Sequence, residues 1–308
     1  MSAVKPPAAA GTEAPRSDTS RGVTLVTGAS GFIGRHVTAQ LRSAGVQVLA
    51  IEHAWDSRAG LEGLLGSDTV QVCLHLGWYA NPADYLSAEL ENLRSLRSSV
   101  ELVAALMERG CEHLTVAGTS AEYRPGVRPL TEADELNAAT AYARAKAALR
   151  DLTGQLSRSD ALPTAWCRIF NLSGPGEHPD RLLPLVARAL LAGVPLDLTD
   201  GSQIRDYLDV RDVADALVAV SGARLVGPVN VCSGDGVVLS DLVSDLASRC
   251  GSAAFLNLGA RPRGPGDPDE LVGDNTRLFN EVGWRPSISR SQMLDDVAEY
   301  WRSRLQES

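Results

Sequence analysis

The most constraining feature of the chain is a short β-branched run that begins at Val23 and leads through the glycine-rich turn 27–35 into an amphipathic helical stretch. An apolar run at 46–51 completes a βαβ opening. Further apolar runs of the kind found in buried strands cover 70–76, 113–117 and 164–170, and they are separated by helical stretches near 83–109 and 141–156. This alternation predicts an α/β fold with a parallel, doubly wound sheet.

The turn spaces its glycines G-x-x-G-x-x-G, rather than the G-x-G-x-x-G of the commoner dinucleotide fingerprint. Gly28 permits a tight turn, Gly31 lets the backbone approach a pyrophosphate, and Gly34 allows close helix packing. The helix N-terminus offers free N–H groups to an anion. Because the turn follows a strand and opens a helix, it predicts nucleotide binding. The loop residues expected to bind the cofactor are Gly28, Ser30, Gly31, Phe32, Ile33 and Gly34.

Glu52 lies at the end of the second strand, where an acidic side chain could accept hydrogen bonds from an adenosine ribose. This position favours NAD. A 2'-phosphate would instead require cations, and Arg35 and Arg58 are near enough in sequence to keep NADP open. The expected cofactor is therefore NAD(H) or NADP(H).

Tyr142 and Lys146 stand one helical turn apart in the Ala-rich run 140–149, whose residues favour helix strongly. This spacing puts a phenol and an ammonium on one face of the helix. A phenol loses its proton only near pH ~10, but a neighbouring cation can lower its pKa into the range of acid/base catalysis. The pair is the chain's candidate for proton transfer, although helices that merely expose both side chains share the spacing.

The bulk composition fits an acidic soluble enzyme. The formal charge is -9 and the pI is near 5.1, so the concentrated basic surface of a nucleic-acid partner is not expected. At 308 residues the chain can form one large α/β domain or a smaller pair without disulfides. Its five cysteines lack the close Cys or His pairs of metal sites, so we expect no metal and a reducing cytoplasm.

The first 21 residues are rich in Ala, Pro, Ser and Thr. They contain no apolar run long enough for a signal or membrane segment. We therefore expect a disordered tail at 1–21 and no membrane partner.

With the glycine loop, Tyr142 and Lys146, the chain resembles the extended short-chain dehydrogenase/reductases, which include nucleotide-sugar epimerases, dehydratases and ketoreductases. The resemblance runs from Val23 to about Trp301. It implies a Rossmann-type dinucleotide domain over 22–170, joined by 203–227, and a smaller C-terminal α/β substrate domain over 171–202 and 228–308. The segment His75-Leu76-Gly77-Trp78 is similar to the family's segment that lines the cofactor, and Asn92 matches the Asn that opens the next helix.

The segment 119–123 resembles the family's Ser/Thr-x-x-x-Tyr motif, whose first hydroxyl bonds the reacting oxygen. This implies a catalytic Thr119, with Ser120 as the alternative because a Thr-Ser doublet leaves the register ambiguous by one. Thr119 and Tyr142 would then hold one sugar oxygen while hydride moves to or from the nicotinamide. Lys146 would hold the nicotinamide ribose and, together with an oxidised nicotinamide, lower the Tyr142 pKa.

Downstream motifs imply a nucleotide-diphosphate sugar as substrate. In the R-x-F-N-x-x-G-P segment 168–175, Asn171 would face the nucleotide-sugar. In the R-D-Y-x-x-V segment, Arg205 would reach the diphosphate with its planar donor fork, unless it forms an ordinary ion pair. Arg263 is a further candidate for this clamp, but dense Pro and Gly residues leave its register open.

Missing acids and thiols narrow the reaction. Dehydratases of this family carry an Asp-Glu pair after the catalytic Thr, where this chain has Ser120 and Ala121, so 4,6-dehydration is disfavoured unless Glu122 substitutes. Fucose-synthase-like members pair a Cys with a His. Here Ala121 is near the Cys position, Arg181 stands at the His position and His178 is a lone loop histidine, so combined epimerase and reductase activity is not expected.

Two enzymatic interpretations stay open: a 4-ketoreductase of a nucleotide-linked 4-keto-(6-deoxy)hexose, and a nucleotide-sugar 4-epimerase. We favour the reductase because Trp78 adds bulk where an epimerase must rotate its intermediate, although such a Trp could equally pack against the core. A non-catalytic dinucleotide-binding regulator is the third possibility, against which the intact Thr119, Tyr142 and Lys146 argue. The resemblance also implies a homodimer through a seam of the two long helical stretches.

Overall fold

The computed structural model describes residues 22–52, 55–126, 129–251, 253–264 and 266–307. The expected disordered tail at 1–21 lies outside these ranges. In chain order the strands are β1 (Val23–Thr27), β2 (Val48–Ile51), β3 (Val70–His75), β4 (His113–Thr119), β5 (Thr164–Ile169), β6 (Asn171–Ser173), β7 (Leu196–Asp197), β8 (Ile204–Asp209), β9 (Gly227–Val231), β10 (Gly236–Val238), β11 (Leu256–Asn257) and β12 (Glu270–Leu271). The helices are α1 (Gly34–Ser43), α2 (Arg58–Leu65), α3 (Glu89–Glu108), α4 (Ala141–Arg158), α5 (Leu182–Ala192), α6 (Val210–Gly222), α7 (Leu239–Cys250), α8 (Thr276–Val282) and α9 (Arg290–Gln306).

The larger sheet has the strand order β2-β1-β3-β4-β5-β9, and every neighbouring pair is parallel. Helices cover both faces. Val37 of α1 and Leu217 of α6 pack in one apolar layer, and Leu61 of α2, Leu102 of α3 and Leu149 of α4 pack in the other. Because both faces are covered, β4 and β5 are buried along their full length. The expected parallel, doubly wound sheet is confirmed.

The described chain also contains a second, smaller sheet and a separate group of packed helices. Strand β8 pairs with β10, β12 and β6 in a smaller mixed sheet, and helices α5, α7 and α9 share an apolar core. None of the helices in the described part of the chain is long and apolar enough to cross a membrane.

The strand pairing differs from the expected domain limits at two places. Residues 204–209 were expected to return to the dinucleotide domain, but β8 hydrogen-bonds within the smaller sheet. Residues 228–231 were expected in the substrate domain, but β9 pairs with β5 at the edge of the larger sheet. Helix α6, between these strands, does pack against the larger sheet. The division of the chain into two folding units otherwise stays a prediction.

Helix α3 begins later than its sequence pattern indicates. The helical stretch was expected from about 83, but the helix starts at Glu89. Before it, Asn81 forms a turn in which its side chain accepts from Ala83 N and its carbonyl accepts from Tyr85 N. An Asn-Pro pair favours such a turn over helix, which explains the later start.

Candidate active site

A cleft of about 1300 Å³ opens at the carboxyl ends of β1, β3, β4 and β5. This edge is where parallel α/β sheets bind ligands. The cleft is lined by the predicted loop residues and by Glu52, Leu76, Gly77, Thr119, Ser120, Tyr142, Lys146, Asn171 and Arg205. Arg263 is not among the lining residues. The structure therefore brings most of the predicted site residues together.

The glycine loop has the geometry of an anion cradle. Gly28 has a φ of +65°, and a Cβ there would approach Gly77 N to 2.8 Å, so neither its conformation nor its space admits another residue. The backbone N–H groups of Phe32 and Ile33 donate to no other group in the described ranges. They lie just before α1, where the helix dipole also favours negative charge. These residues fit the pyrophosphate of a dinucleotide.

The end of the cleft near Glu52 carries both acidic and basic side chains. Glu52 is exposed and lines it. The two arginines that kept NADP open point elsewhere: Arg35 donates to Pro175 O at 2.5 Å, and Arg58 pairs with two glutamates. Arg97 also lines the cleft, with its guanidinium donating to Asp56 O at 2.8 Å.

Thr119, Tyr142 and Lys146 converge from two elements. Thr119 is the last residue of β4, and α4 begins just before Tyr142 because the Thr140 hydroxyl accepts from Ala143 N at 3.1 Å. The Thr119 side chain hydrogen-bonds the Tyr142 phenol, and Ser120 lines the same cleft. Thr119 therefore lies beside the phenol, and its choice over Ser120 as the catalytic hydroxyl stays a prediction.

The electrostatics of the pair differ from the expectation. Burial, together with the nearby Tyr85, raises the pKa of the Tyr142 phenol above its ordinary value, and Lys146 does not offset this. The Lys146 ammonium donates to Ala117 O at 2.7 Å and lies 5.9 Å from the centre of the Tyr142 ring. Burial lowers its own pKa to about 7. In this geometry Tyr142 is a protonated phenol, not a phenolate.

Trp78 forms a wall of the cleft beside this pair. Its indole N–H donates to Asn92 Oδ1 at 2.9 Å, and the Asn92 amide donates in turn to Tyr85 O and Ala88 O. The Lys146 ammonium sits 4.0 Å from the centre of the indole ring. Asn92 therefore acts within the protein, as an anchor for Trp78 and for the turn that precedes α3.

His75 ties the cofactor segment to the sheet. Its Nδ1 lies 2.6 Å from the Thr27 hydroxyl and its Nε2 lies 2.8 Å from the Ser99 hydroxyl. Ser99 already donates to Ser95 O, so it must accept from Nε2–H, and Thr27 must donate to Nδ1. The Thr27 oxygen is then free to accept from Leu76 N and Gly77 N. Burial lowers the His75 pKa to about 3, so the ring is neutral.

Glu122 does not substitute for the missing dehydratase acids. Its fully buried carboxylate pairs with Arg150 at 2.9 Å and lies 3.4 Å from Arg168 Nε. It also accepts from Trp166 Nε1 and from Thr119 N. These contacts turn it away from the cleft, which it does not line. Glu122 is therefore not placed to serve as the acid that eliminates water, contrary to the possibility raised from the sequence.

The expected substrate side chains are held by neighbours. Arg205 donates to Asp267 Oδ1 at 2.5 Å and to Pro268 O at 2.7 Å, at the edge of the cleft. Asn171 donates to Asp206 O at 3.2 Å. Arg263 pairs with Asp269 at 2.7 Å, outside the cleft lining. The structure therefore supports Arg205, rather than Arg263, as an arginine that can meet a ligand.

Sequence reasoning missed several polar and aromatic residues at the substrate end. The Tyr85 ring packs edge-on against the Tyr142 ring at 5.1 Å, and the Arg181 guanidinium stacks 4.7 Å from the Tyr85 ring centre. Within the described ranges, Arg181 makes no ion pair with a carboxylate. Burial raises the pKa of Glu177 to about 7, and the Ser173 hydroxyl donates to it at 2.5 Å. Tyr85 and Glu177 lie in loops without a motif, and for Arg181 the sequence indicated only that it stands at the family's His position, so the folded arrangement is needed to show these contacts.

Comparisons with known proteins match this chain to one family model and to enzymes that act on nucleotide sugars. The family model described as the NAD dependent epimerase/dehydratase family matches residues 24–232. A GDP-6-deoxy-D-mannose reductase of Pseudomonas aeruginosa is 26% identical over 299 residues, which cover 92% of this chain and 98% of the relative. A UDP-glucose 4-epimerase of Lactobacillus helveticus is 23% identical in an alignment of 320 positions, which covers 90% of this chain and 96% of the relative.

The fold is shared with solved structures. A UDP-glucose 4-epimerase of Thermus thermophilus in complex with NAD superposes with a TM-score of 0.83 at 23% identity, covering 91% of this chain and 99% of that one. The family model spans more than half of the chain, including the glycine loop and the segment that carries Thr119, Tyr142 and Lys146. The chain belongs to the NAD dependent epimerase/dehydratase family.

Proposed function

We propose that the chain is a 4-ketoreductase that uses NAD(P)H to reduce a nucleotide-linked 4-keto-(6-deoxy)hexose. The observation that carries the proposal is the Trp78 indole, which Asn92 fixes beside Lys146, where it fills part of the room that an epimerase needs to turn its intermediate. The Tyr142 phenol holds its proton before the substrate arrives. A reduction begins with that proton on the enzyme, because the ketone oxygen must gain it as the carbon gains hydride.

The roles of the side chains follow from their positions. Thr119 and Tyr142 hydrogen-bond the ketone oxygen, and Tyr142 gives it the proton. Lys146 holds a positive charge near the phenol, which stabilises the phenolate that remains. Bound NADH or NADPH would supply the hydride. Trp78 and Tyr85 keep bulk water from the aromatic side of the phenol.

We infer that NADH is the preferred cofactor. Glu52 lines the cleft at the position where a carboxylate can accept hydrogen bonds from the adenosine ribose, and it would repel a 2'-phosphate. Arg58 is already paired with Glu62 and Glu108, which supports the same choice.

The diphosphate of the substrate would meet Arg205 and Arg181. Arg205 is positioned by Asp267 and Pro268, and Arg181 lines the same end of the cleft without a carboxylate partner in the part of the chain that the structure describes. Arginine suits this task because its planar fork matches phosphate oxygens.

A 4-epimerase is the second candidate, since a relative named UDP-glucose 4-epimerase matches this chain over nearly its whole length. It uses the same hydroxyl, phenol and amine but needs room for the keto sugar to turn. Trp78, fixed by Asn92 and packed against Lys146, fills part of that room. A regulator without turnover would not need Thr119, Tyr142 and Lys146 together.

The test is incubation with nucleotide-linked 4-keto-6-deoxyhexoses and with NADH or NADPH in turn. Absorbance of the reduced nicotinamide reports turnover, and Tyr142→Phe serves as the control. Loss of reduced cofactor in step with ketone supports the reductase. Inversion at C4 of a nucleotide hexose without net loss of cofactor would establish the epimerase instead.

We also propose that the chain forms a homodimer through α3 and α4. These helices pack together and carry exposed apolar side chains, including Leu90 and Leu93 on α3, which are 58% and 60% exposed, and Leu152 on α4. Covering them in a second copy would remove this apolar surface from water.

A further inference from the structure

The Lys146 ammonium is almost completely buried, with 3% of the residue exposed. A buried ammonium loses most of its hydration, so the charged form survives only if neighbouring groups replace that water. The groups around the ammonium show what replaces its lost water.

Protein hydrogen bonds provide only part of the compensation. Within the described ranges, the ammonium donates to one acceptor, Ala117 O on β4, at 2.7 Å. Lys146 has three N–H donors, so a single carbonyl leaves two of them without a protein partner.

The charged and titratable groups around it contribute little. Glu122, beyond the end of β4, attracts the ammonium, but its carboxylate is shared with Arg150 and lies close to Arg168. His75, on β3, is neutral because its pKa is about 3. Tyr142, on the same helix as Lys146, is a neutral phenol. No group in this set places a full, uncompensated negative charge beside the lysine.

Two aromatic faces remain: the Trp78 indole, which is the nearer, and the Tyr142 ring, whose centre lies 5.9 Å from the ammonium. The ammonium lies 4.0 Å from the indole centre, within the ~6 Å range of cation–π attraction, and Trp is the aromatic side chain that attracts cations most strongly. The indole cannot turn freely, because Nε1 donates to Asn92, and that amide is itself held by the carbonyls of Tyr85 and Ala88.

We propose that Trp78 is a positioning residue that holds Lys146 in its charged form, with its indole face as a counterweight to burial beside the Ala117 carbonyl and Glu122. The inference deepens the proposed function, on which only its catalytic consequence rests. Asn92 orients the indole, the indole retains the ammonium, and the ammonium stabilises the phenolate that Tyr142 leaves after it protonates the ketone. The bulk of Trp78 therefore has an electrostatic purpose beyond restricting space.

The sequence permits a direct test without substrate, because Lys5 and Lys146 are its two lysines. In protein labelled with [13Cε]lysine, NMR resolves two Cε signals whose shifts follow ammonium deprotonation. Lys5 supplies the internal reference, and Lys146→Arg assigns the second signal. The titration is recorded for the parent, Trp78→Phe and Trp78→Leu. Tyr85→Leu is the matched control, since the Tyr85 ring packs against Tyr142 rather than against the ammonium.

We expect the Lys146 midpoint to fall by about 0.4 to 1.5 pH units in Trp78→Leu, with a smaller fall in Trp78→Phe. Tyr85→Leu should leave it within about 0.2 units of the parent, a margin well below the cation–π effect. An unchanged midpoint, or a rise from admitted water, would overturn the proposal, because Trp78 would then merely fill space. Should Trp78→Leu not fold, the ordering of the parent and Trp78→Phe decides in the same way.

A second readout connects the inference to catalysis. In the reductase assay the alkaline limb of kcat/KM should move to lower pH by the shift seen in the NMR titration. A shifted midpoint with no turnover on any ketosugar would refute the proposed reaction and leave the Trp78 inference standing. An unshifted midpoint with normal turnover would refute the Trp78 inference and leave the proposed reaction standing.

Discussion

Arg205 donates to Asp267 Oδ1 at 2.5 Å, so the arginine that the sequence motif assigns to the substrate is already held by a carboxylate at the edge of the cleft. That contact fixes the direction of the guanidinium while leaving it beside the ligand space. The loop that carries Asp267 also carries Arg263, which pairs with Asp269 away from the cleft. Two arginines close in space thus have different prospects of meeting a diphosphate.

Arg205→Ala should weaken nucleotide-sugar binding by about tenfold or more, since a charge-assisted hydrogen bond contributes ~1.5–3 kcal/mol. Affinity for NADH should change little. Arg263→Ala is the matched control and should stay within about threefold of the parent, because its guanidinium has no place in the cleft. Calorimetric titration measures both ligands. A larger loss in the Arg263 variant would reverse the assignment.

Tyr142→Phe should reduce turnover by roughly 10²- to 10⁴-fold, the usual contribution of an acid/base group, with NADH binding nearly intact. Thr119→Ala should cost more activity than Ser120→Ala, because the Thr119 side chain hydrogen-bonds the phenol. Steady-state kinetics with a 4-keto substrate provide the measurement. Turnover of Tyr142→Phe within threefold of the parent would exclude it as the proton donor.

Glu52→Gln should narrow the preference for NADH over NADPH by about an order of magnitude, because it removes the charge that opposes a 2'-phosphate. Arg58→Ala should leave NADPH affinity unaltered, since its guanidinium is paired with Glu62 and Glu108. Fluorescence titration of both reduced cofactors reports the ratio. If Arg58→Ala lowers NADPH affinity selectively, the adenosine end of the cleft is basic in solution.

Lys146→Met should raise the free energy of unfolding most at pH 6 to 7, in the absence of added cofactor. The unfolded chain keeps this proton up to the ordinary pKa of 10.5, whereas the folded chain releases it near pH 7. Below pH 7 the buried lysine is charged, and the free energy of unfolding is lowered by the whole cost of burying that charge. This cost disappears as the pH rises towards 10.5, where the lysine is neutral in both states. Urea unfolding across this range should show the difference from the parent shrinking. Arg144→Met, on the exposed face of α4, should show no such slope.

Leu93→Asp should shift the chain from dimer to monomer, because it places a charge in the apolar face formed by α3 and α4. Sedimentation velocity measures the change, and Met107→Asp, near the far end of α3, gives a graded comparison. A parent chain that is monomeric at micromolar concentration would contradict the proposed seam.

Local patterns account for what could be predicted from sequence. The order of strands and helices follows from hydrophobic periodicity, and the face shared by Tyr142 and Lys146 follows from their helical spacing. The assignment of Thr119 came from the resemblance of segment 119–123 to a family motif, and the structure places this residue at the end of β4. The periodicity, the helical spacing and the motif all depend on residues that are neighbours in the chain.

Contacts between distant segments could not be predicted. Trp78 meets Lys146 only because the loop after β3 folds over α4, and Arg181 reaches Tyr85 across two loops. The expected lowering of the Tyr142 pKa failed for the same reason: spacing indicates that a cation is near, but burial and the direction of the ammonium decide which effect dominates. The pairing of β9 with β5 could not be predicted either, because strand partners depend on tertiary structure rather than on order along the chain.

The enclosed carboxylate of Glu122 has a consequence for redesign. Two arginines, the Trp166 indole and the Thr119 amide use it as a structural anchor, while the neighbouring Ser120 and Ala121 face the cleft. Glu122 thus stabilises the fold, while the adjacent residues 120 and 121 are available to contact a ligand. New acids for eliminating water can be introduced at 120 and 121 while the anchor that holds the end of β4 is left in place.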